Sequence, residues 1–217
     1  MQIAIIGAGN VGSALAKSWA RSGHKLLLGV RETSDPKVQS LCRQTGALAQ
    51  SARDAAQAAS VVVLALPWSA AAEAVRALGP LVGKIVIDCM NPLALRQGVL
   101  ALERGFSNSA GETVAGWLPQ ARVVKTLNQV GADVMADTSG FAVAPAMFMA
   151  GDDADAKATV AGLLRDLGFE PLDAGALIQS RHLEPYAMVW INQALYQGKG
   201  AEWAFAAVTP VGRGGAA

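Results

Sequence analysis

The sequence predicts an α/β fold built on a mainly parallel sheet, and three observations carry that expectation. Short β-branched runs alternate along the chain with Ala-rich stretches of helical character. A glycine-rich turn, GAGNVG, follows the first apolar run at once. Of the 217 residues, 52% are hydrophobic and 16% charged, enough apolar material to cover both faces of a sheet. At this length the expected organisation is a nucleotide-binding domain over residues 1–128 with a smaller C-terminal portion, 129–217, packed on it.

The elements follow in order. The first strand runs from Ile3 to Ile6, and a helix from Asn10 to Arg21 is terminated by Gly23. Lys25 to Val30 reads as the second strand, Pro36 to Gln44 as a helix closed by Gly46, and Ala47 to Ala49 as a short third strand. SARD, Ser51 to Asp54, has capping-box spacing with Asp in place of Glu and opens the next helix. The continuous apolar run SVVVLAL, Ser60 to Leu66, marks a strand buried on both faces. PWS breaks it and leaves Ser69 to cap a helix reaching Leu78. KIVIDCMNP supplies a fifth strand and its loop; SAGE, Ser109 to Glu112, is a second capping box for a helix that Pro119 stops. RVVKTLN, AMFMAGD and FEPLDAG supply three more strands, the last two separated by a helix from Asp153 to Leu167 ahead of Gly168. From Leu177 to Val208 the chain is helical in character, with Pro185 expected to break or kink it, and the tail VGRGGAA is expected to fray.

Charge and cysteine usage exclude several functions. The net charge is +1 and no Lys/Arg run occurs, so the electrostatic footprint of a nucleic-acid or acidic-membrane partner is missing. Cys42 and Cys89 lie far apart without a CxxC, and read as reduced, buried thiols rather than a disulfide or metal pair. Met1 runs straight into a strand, and the apolar runs fall far short of the ~20 residues of a spanning helix, so a soluble, cytoplasmic protein is expected.

Gly7, Gly9 and Gly12 satisfy G-x-G-x-x-G between a strand and a helix, the context that gives this pattern meaning. Gly7 permits the tight turn, Gly9 lets the backbone approach a pyrophosphate, and Gly12 lets the helix pack on the strand. The N–H groups around Asn10 and Val11 then face the phosphates at a helix N-terminus. The fold class is therefore a Rossmann-type, doubly wound sheet with a small helical C-terminal portion. The second strand ends in GVR, placing Arg31 where NAD-binding units hold a carboxylate against the ribose hydroxyls. A guanidinium there pairs with the 2′-phosphate of NADP, and Thr33, Ser34 and Lys37 add donors in the same loop. Glu32, one residue on, is placed to serve a ribose hydroxyl and keeps NAD open beside the preferred NADP.

In such sheets ligands bind beyond the carboxyl ends of the strands. Leu66, Pro67 and Trp68 arrive there after the fourth strand, Asn91 and Pro92 after the fifth, and Asn128, Gln129 and Gly131 after the sixth. Trp68 reads equally as a wall of a nicotinamide pocket or as a cover for the core edge. Acid–base candidates are few. His24 falls at the wrong end of the sheet; His182 is the one weak catalytic candidate, with Tyr186 and Asn192 behind it. Lys125 lies within a strand, either reaching out at the sheet end or solvated. Asp152, Asp153 and Asp155 read as a helix N-terminus rather than a cation site, and no metal site is expected. Carbonyl reduction ordinarily needs a proton donor, whereas hydride exchange between ring cofactors needs stacking and orientation, so the second chemistry is favoured.

Together, IIGAGNVGSALAKSWARSGHKLLLGVR, VVVLALPW, RVVKTLN, MFMAGDDADAK and DAGALIQSRHLEP resemble the NADPH-dependent reductases of coenzyme F-420, the 8-hydroxy-5-deazaflavin cofactor. Similar modules form the oxidoreductase domain of the six-transmembrane metalloreductases. The resemblance covers nearly the whole chain and implies a homodimeric, NADPH-dependent oxidoreductase whose small-molecule acceptor is a deazaflavin or a flavin. It implies that Gly9 to Gly12 and Arg31 hold NADP, with Pro67 and Trp68 at the nicotinamide end and Asn91 and Pro92 a looser match. Val30 departs from the small hydroxyl residue that often precedes the arginine, and LYQGKGAEWAF matches the family's G-x-G tail only in outline. Two alternatives stand beside this expectation, a reductase of small carbonyls or imines and a non-enzymatic NADP sensor.

Overall fold

The computed structural model describes residues 1–210, so the expectation for the tail VGRGGAA lies outside the described residues. The N-terminal half follows the periodicities closely. Strand β1 (Gln2–Ile6) leads through the glycine turn into α1 (Asn10–Arg21), then β2 (Lys25–Val30), α2 (Pro36–Thr45), β3 (Leu48–Ser51) and α3 (Ala52–Ala58). Asp35 caps α2 by accepting from the Lys37 and Val38 N–H groups, with Pro36 at the first helical position and Gly46 left-handed at the end (φ 70°). Ser51 caps α3 through the Asp54 N–H, while the Asp54 carboxylate accepts from the Ser51 hydroxyl instead of the Ser51 N–H that a full box would use.

Strand β4 (Val61–Leu64) is followed by α4 (Trp68–Ala77) and β5 (Ile85–Asp88). Ser69 does not cap α4: the helix starts two residues earlier than that cap implies, Pro67 holds the cap position, and no side chain bonds there. Next comes a feature absent from the sequence-based expectation, an antiparallel hairpin of β6 (Leu93–Arg96) and β7 (Val99–Leu102). Its two-residue turn places both Gln97 (φ 52°) and Gly98 (φ 78°) in the left-handed region, as a twist-matched hairpin requires. Helix α5 (Ala110–Trp117) is capped by Ser109 on the Glu112 N–H, followed by β8 (Arg122–Lys125) and a short α6 (Ala132–Ala136). Strand β9 (Ala146–Gly151), α7 (Ala154–Asp166) and β10 (Glu170–Asp173) precede a single 3₁₀ turn, Leu177–Gln179, and α8 (Ser180–Leu195). Pro185 lies inside α8 without breaking it, and the helix ends at Leu195 instead of continuing to Val208, because GKG follows.

Eight strands form one sheet in the order β10-β9-β8-β5-β4-β1-β2-β3. The six strands from β3 across to β8 are parallel, while β9 turns antiparallel on β8 and pairs parallel with β10. Chain order reverses between β1 and β4, so the crevice at their carboxyl ends is the topological switch point. Alternation splits each central strand between two cores. Ile3, Ile5, Val61, Val63 and Ile87 pack against Leu15, Trp19 and Leu164 on one face. Ala4, Ile6, Val62, Leu64 and Val86 pack against Ala55, Ala71, Val75 and Val114 on the other.

The β8–β9 seam is short. Its ladder holds only Val124 opposite Gly151 and Lys125 opposite Ala150. Side chains extend it: the Gln129 amide accepts from the Phe148 N–H (3.1 Å) and donates to the Phe148 carbonyl (2.9 Å), which also accepts from the Thr126 hydroxyl (2.8 Å).

Candidate functional site

The turn after β1 is shaped by exclusion. A Cβ on Gly7, itself at φ +103°, would stand 2.4 Å from the Ala65 carbonyl oxygen, and a Cβ on Gly12 only 1.9 Å from that of Gly7. Neither position admits another residue without moving backbone. Gly9 is different: a Cβ there meets no atom within 4 Å, so the space above it is open. Gly9 is the N-cap of α1 and offers no side-chain acceptor, and the Ser13 hydroxyl bonds to Ala8, so the first N–H groups of α1 stay available to an anion. Asn10 is exposed and Val11 half-buried beside them. An uncapped helix N-terminus beneath an open glycine fits a dinucleotide pyrophosphate.

Beyond β2, Arg31 is exposed, and no hydrogen bond or ion pair within the described residues engages its side chain or those of Thr33 and Lys37. Ser34 is committed elsewhere, since both its hydroxyl and its N–H donate to the Glu32 carboxylate. Those bonds lower the Glu32 pKa and tie the carboxylate to its own loop. Among these residues the cationic donors, rather than Glu32, are free for a ligand.

At the far end of the crevice, Leu66 is half-buried and Pro67 exposed. Trp68 stacks on Trp117 with ring centroids 5.6 Å apart and donates from Nε1 to Glu103 (3.0 Å), while the Arg104 guanidinium lies 5.6 Å above its ring. After β5, Asn91 and Asn128 exchange bonds, Nδ2 of Asn91 to the Asn128 carbonyl (2.8 Å) and Nδ2 of Asn128 to Oδ1 of Asn91 (3.0 Å). Pro92 is buried behind them, and Leu127 holds a left-handed φ of 60°.

Lys125 corrects the expectation drawn for it, being neither solvated nor reaching outward. It is fully buried, with Nζ 3.0 Å from Asp88 and 3.1 Å from Glu184, and it also donates to the Met90 carbonyl. Glu184 in turn accepts from the Ala110 and Gly111 N–H groups at the start of α5, and Asp88 accepts from the Met90 N–H. Burial disfavours the ammonium, but the charges and hydrogen bonds of Asp88 and Glu184 outweigh it and raise the Lys125 pKa. Burial, with the Asp88 charge adding and Lys125 opposing, pushes the neighbouring Cys89 thiol well up and keeps it protonated. Cys89 is buried as expected, whereas Cys42 is only half-buried; both are free.

The other candidates scatter. His182 is exposed, with Nδ1 2.7 Å from the Gln179 side-chain oxygen. Tyr186 packs edge-on to Phe148 and against Phe205, and its burial raises its pKa. Asn192 is exposed near the end of α8. His24 lies at the opposite end of the sheet, bonded to Asp166 (2.9 Å) and the terminal amine (3.1 Å). Asp153 caps α7 and Asp152 accepts from the Leu177 N–H; no metal-binding cluster occurs among the described residues. No helix among them is long and apolar enough to cross a membrane.

Sheet order, switch point and glycine turn define a Rossmann protein with a dinucleotide-type crevice. Residues 2–92 match the family model described as NADP oxidoreductase, coenzyme F420-dependent. A crystal structure from Arthrobacter sp. FB24, described as a putative F420-dependent NADP-reductase, superposes with a TM-score of 0.87 at 32% identity, covering 95% of this chain and 99% of that one. The chain belongs to this family of F420-dependent NADP oxidoreductases. The NAD-dependent L-serine dehydrogenase of Pseudomonas aeruginosa is 31% identical over 175 residues, 80% of this chain and 54% of that protein. Metalloreductase STEAP3 of Rattus norvegicus is 27% identical over 183 residues, 84% of this chain and 36% of that protein. The chain thus spans about half or less of the length of these curated relatives.

Proposed function

We propose that the chain transfers a hydride between NADP(H) and a planar ring acceptor of the deazaflavin or flavin type. The observation that carries this is the sealed Asp88–Lys125–Glu184 cluster: the lysine nearest the carboxyl ends of β5 and β8 is closed off by two carboxylates. A carbonyl or imine reductase needs a proton donor beside the reacting atom, whereas exchange between two rings needs orientation and exclusion of water. NADPH, when bound, supplies the hydride. The N–H groups of Asn10 and Val11 hold its pyrophosphate, Arg31 with Lys37 pairs with the 2′-phosphate, and the loops at Leu66–Trp68 and Asn91–Pro92 border the nicotinamide. The Asn91–Asn128 exchange fixes the second of these loops against β8.

Mixing the protein with NADPH and either an oxidised deazaflavin or a flavin tests the reading directly. Catalytic bleaching of the acceptor's visible absorbance is expected; no turnover with deazaflavin, FMN or FAD would sink it. The relation to an L-serine dehydrogenase favours a second reading, oxidation of a small hydroxy acid or reduction of the matching carbonyl, which a substrate panel separates from the first. In the same proposal two copies pair through exposed apolar side chains on and just after α8, Val189, Leu195 and Tyr196 among them, which sedimentation at micromolar concentration tests.

A further inference from the structure

Asp88 and Lys125 are the last residues of β5 and β8, and they stand opposite each other in the ladder at the carboxyl edge of the sheet. Between them they hold both backbone groups of Met90: Asp88 accepts from its N–H (2.9 Å), and Lys125 donates to its carbonyl. The peptides on either side of Met90, which open the Asn91–Pro92 loop, are thereby fixed. Glu184 completes this charged rung from α8, with its Oε1 3.1 Å from the Lys125 Nζ. A second, uncharged rung lies beside it. Asn128 donates from Nδ2 to Oδ1 of Asn91 (3.0 Å) and to the carbonyl of Leu183 (3.1 Å), and its own carbonyl accepts from Asn91 (2.8 Å). Asn128 is buried, and Gln129 donates to its Oδ1 (3.0 Å), so both amide hydrogens and the amide oxygen are committed. Each rung joins the same three segments: the loop after β5, the end of β8, and α8.

Taking three charges out of water costs about as much as their attraction returns, so net stability does not account for the charged rung. What a fully bonded buried network adds is a single allowed arrangement. We infer that Lys125 and Asn128 are positioning residues for the nicotinamide end of the bound nucleotide, acting through Met90 and Asn91 to make the loop after β5 and α8 one rigid wall. This role rests on the proposed placement of the nicotinamide beside Leu66–Trp68 and Asn91–Pro92, and it supplies what holds the second of those loops still. Neither rung includes a residue of the glycine turn or of the Arg31 loop, so its loss should be felt at one end of the nucleotide only.

The probes are NADPH and adenosine 2′,5′-bisphosphate, which carries the 2′-phosphate end and lacks the nicotinamide. Calorimetric titration of each needs no acceptor, so the readout is independent of turnover. The native protein is expected to bind NADPH more tightly than the bisphosphate. In Asn128→Ala that advantage should shrink about fivefold, the worth of one hydrogen bond, with affinity for the bisphosphate unchanged. Lys125→Met should shrink it at least as far; Asn128→Ala strands no charge and decides alone if Lys125→Met does not fold. Thermal unfolding sets a titration temperature at which each variant is native. An equal loss for both probes would reduce the two residues to a structural role and overturn the inference, as would an advantage that survives the substitutions. Equal native affinity for the two probes would remove the placement of the nicotinamide, and the positioning role with it. A nicotinamide advantage that depends on Asn128, without reduction of a deazaflavin or flavin, would leave the positioning role standing and remove the proposed reaction.

Discussion

Replacing Lys125 by Met should destabilise the protein far more than breaking an equally short ion pair at the surface. In the native chain Lys125, Asp88 and Glu184 are 0–1% exposed, so the substitution strands two carboxylates away from water. Loss of one partner of a buried pair costs about 3–5 kcal/mol, a large share of the ~5–15 kcal/mol that holds a domain folded. The comparison is Lys157→Met, whose pair with Asp173 is closer, at 2.8 Å, but whose side chains are 15% and 49% exposed. Solvent screening holds that contribution to about 1 kcal/mol or less, so burial rather than distance decides the order. Urea unfolding followed by tryptophan fluorescence should show the Lys125→Met midpoint lower by about 1–2 M, and Lys157→Met lower by about 0.5 M at most. The alkaline limb adds a second reading. Since the folded-state pKa of Lys125 is raised above the usual 10.5, its contribution is complete below that value and lost as pH rises through the folded pKa. The native protein should therefore lose stability above about pH 10.5 in a way that Lys125→Met does not. Equal midpoints for the two variants, or a native alkaline limb retained in Lys125→Met, would refute the reasoning.

Other expectations are as direct. Arg31→Ala should raise the KM for NADPH by about 10–100-fold, the worth of a charged hydrogen-bonded contact, and change the KM for NADH little; steady-state kinetics with both nucleotides checks it. Gly9→Ala should leave the unfolding midpoint almost unchanged and weaken NADP binding, since its Cβ meets only the space the pyrophosphate would fill. Gly12→Ala should lower both, because its Cβ collides with the Gly7 carbonyl; calorimetry with and without NADP separates the two cases. The hydrogen bond from Arg181 and that from Ser109 hold the Glu112 pKa below 4.5 against its burial. That contribution is present above pH 4.5 and lost as pH falls through the folded value, so Glu112→Gln should flatten acid unfolding below pH 4.5 in urea titrations.

The legible parts of the sequence were those fixed by neighbours a few residues apart. The strand–turn–helix around Gly7 to Gly12, the helix caps at Ser51 and Ser109 and the buried fourth strand rest on spacing alone, and the structure places them within a residue or two. The hairpin escaped notice because its turn is Gln-Gly, not Asn-Gly or Asp-Gly, and a left-handed Gln97 has little signal in sequence. The buried lysine was illegible for a different reason. Its partners lie 37 and 59 positions away, at Asp88 and Glu184, and only the β5–β8 pairing and the docking of α8 bring the three together. One clue stood in plain view: Lys125 follows two valines in a strand whose neighbours on both sides are buried. Trp68 shows a third limit, since its partners Trp117, Glu103 and Arg104 arrive from a helix and from the loop after the hairpin, which share no pattern with it.

The short seam between β8 and β9 has a consequence for how the molecule opens. Two residue pairs of backbone ladder join the β9–α7–β10 unit to the parallel sheet, and much of the remaining attachment is made by side chains: Gln129 and Thr126 on Phe148, and Trp19 on the Leu163 carbonyl (3.0 Å). Freeing this edge breaks two ladder pairs and the part of one core that β9 and α7 bury, Met147, Val160 and Leu164 among it, whereas separating β1 from β4 strips a four-pair ladder and both cores at once. The edge is therefore the first cooperative unit to breathe, and its amides should exchange with solvent while those beneath the nucleotide crevice remain locked.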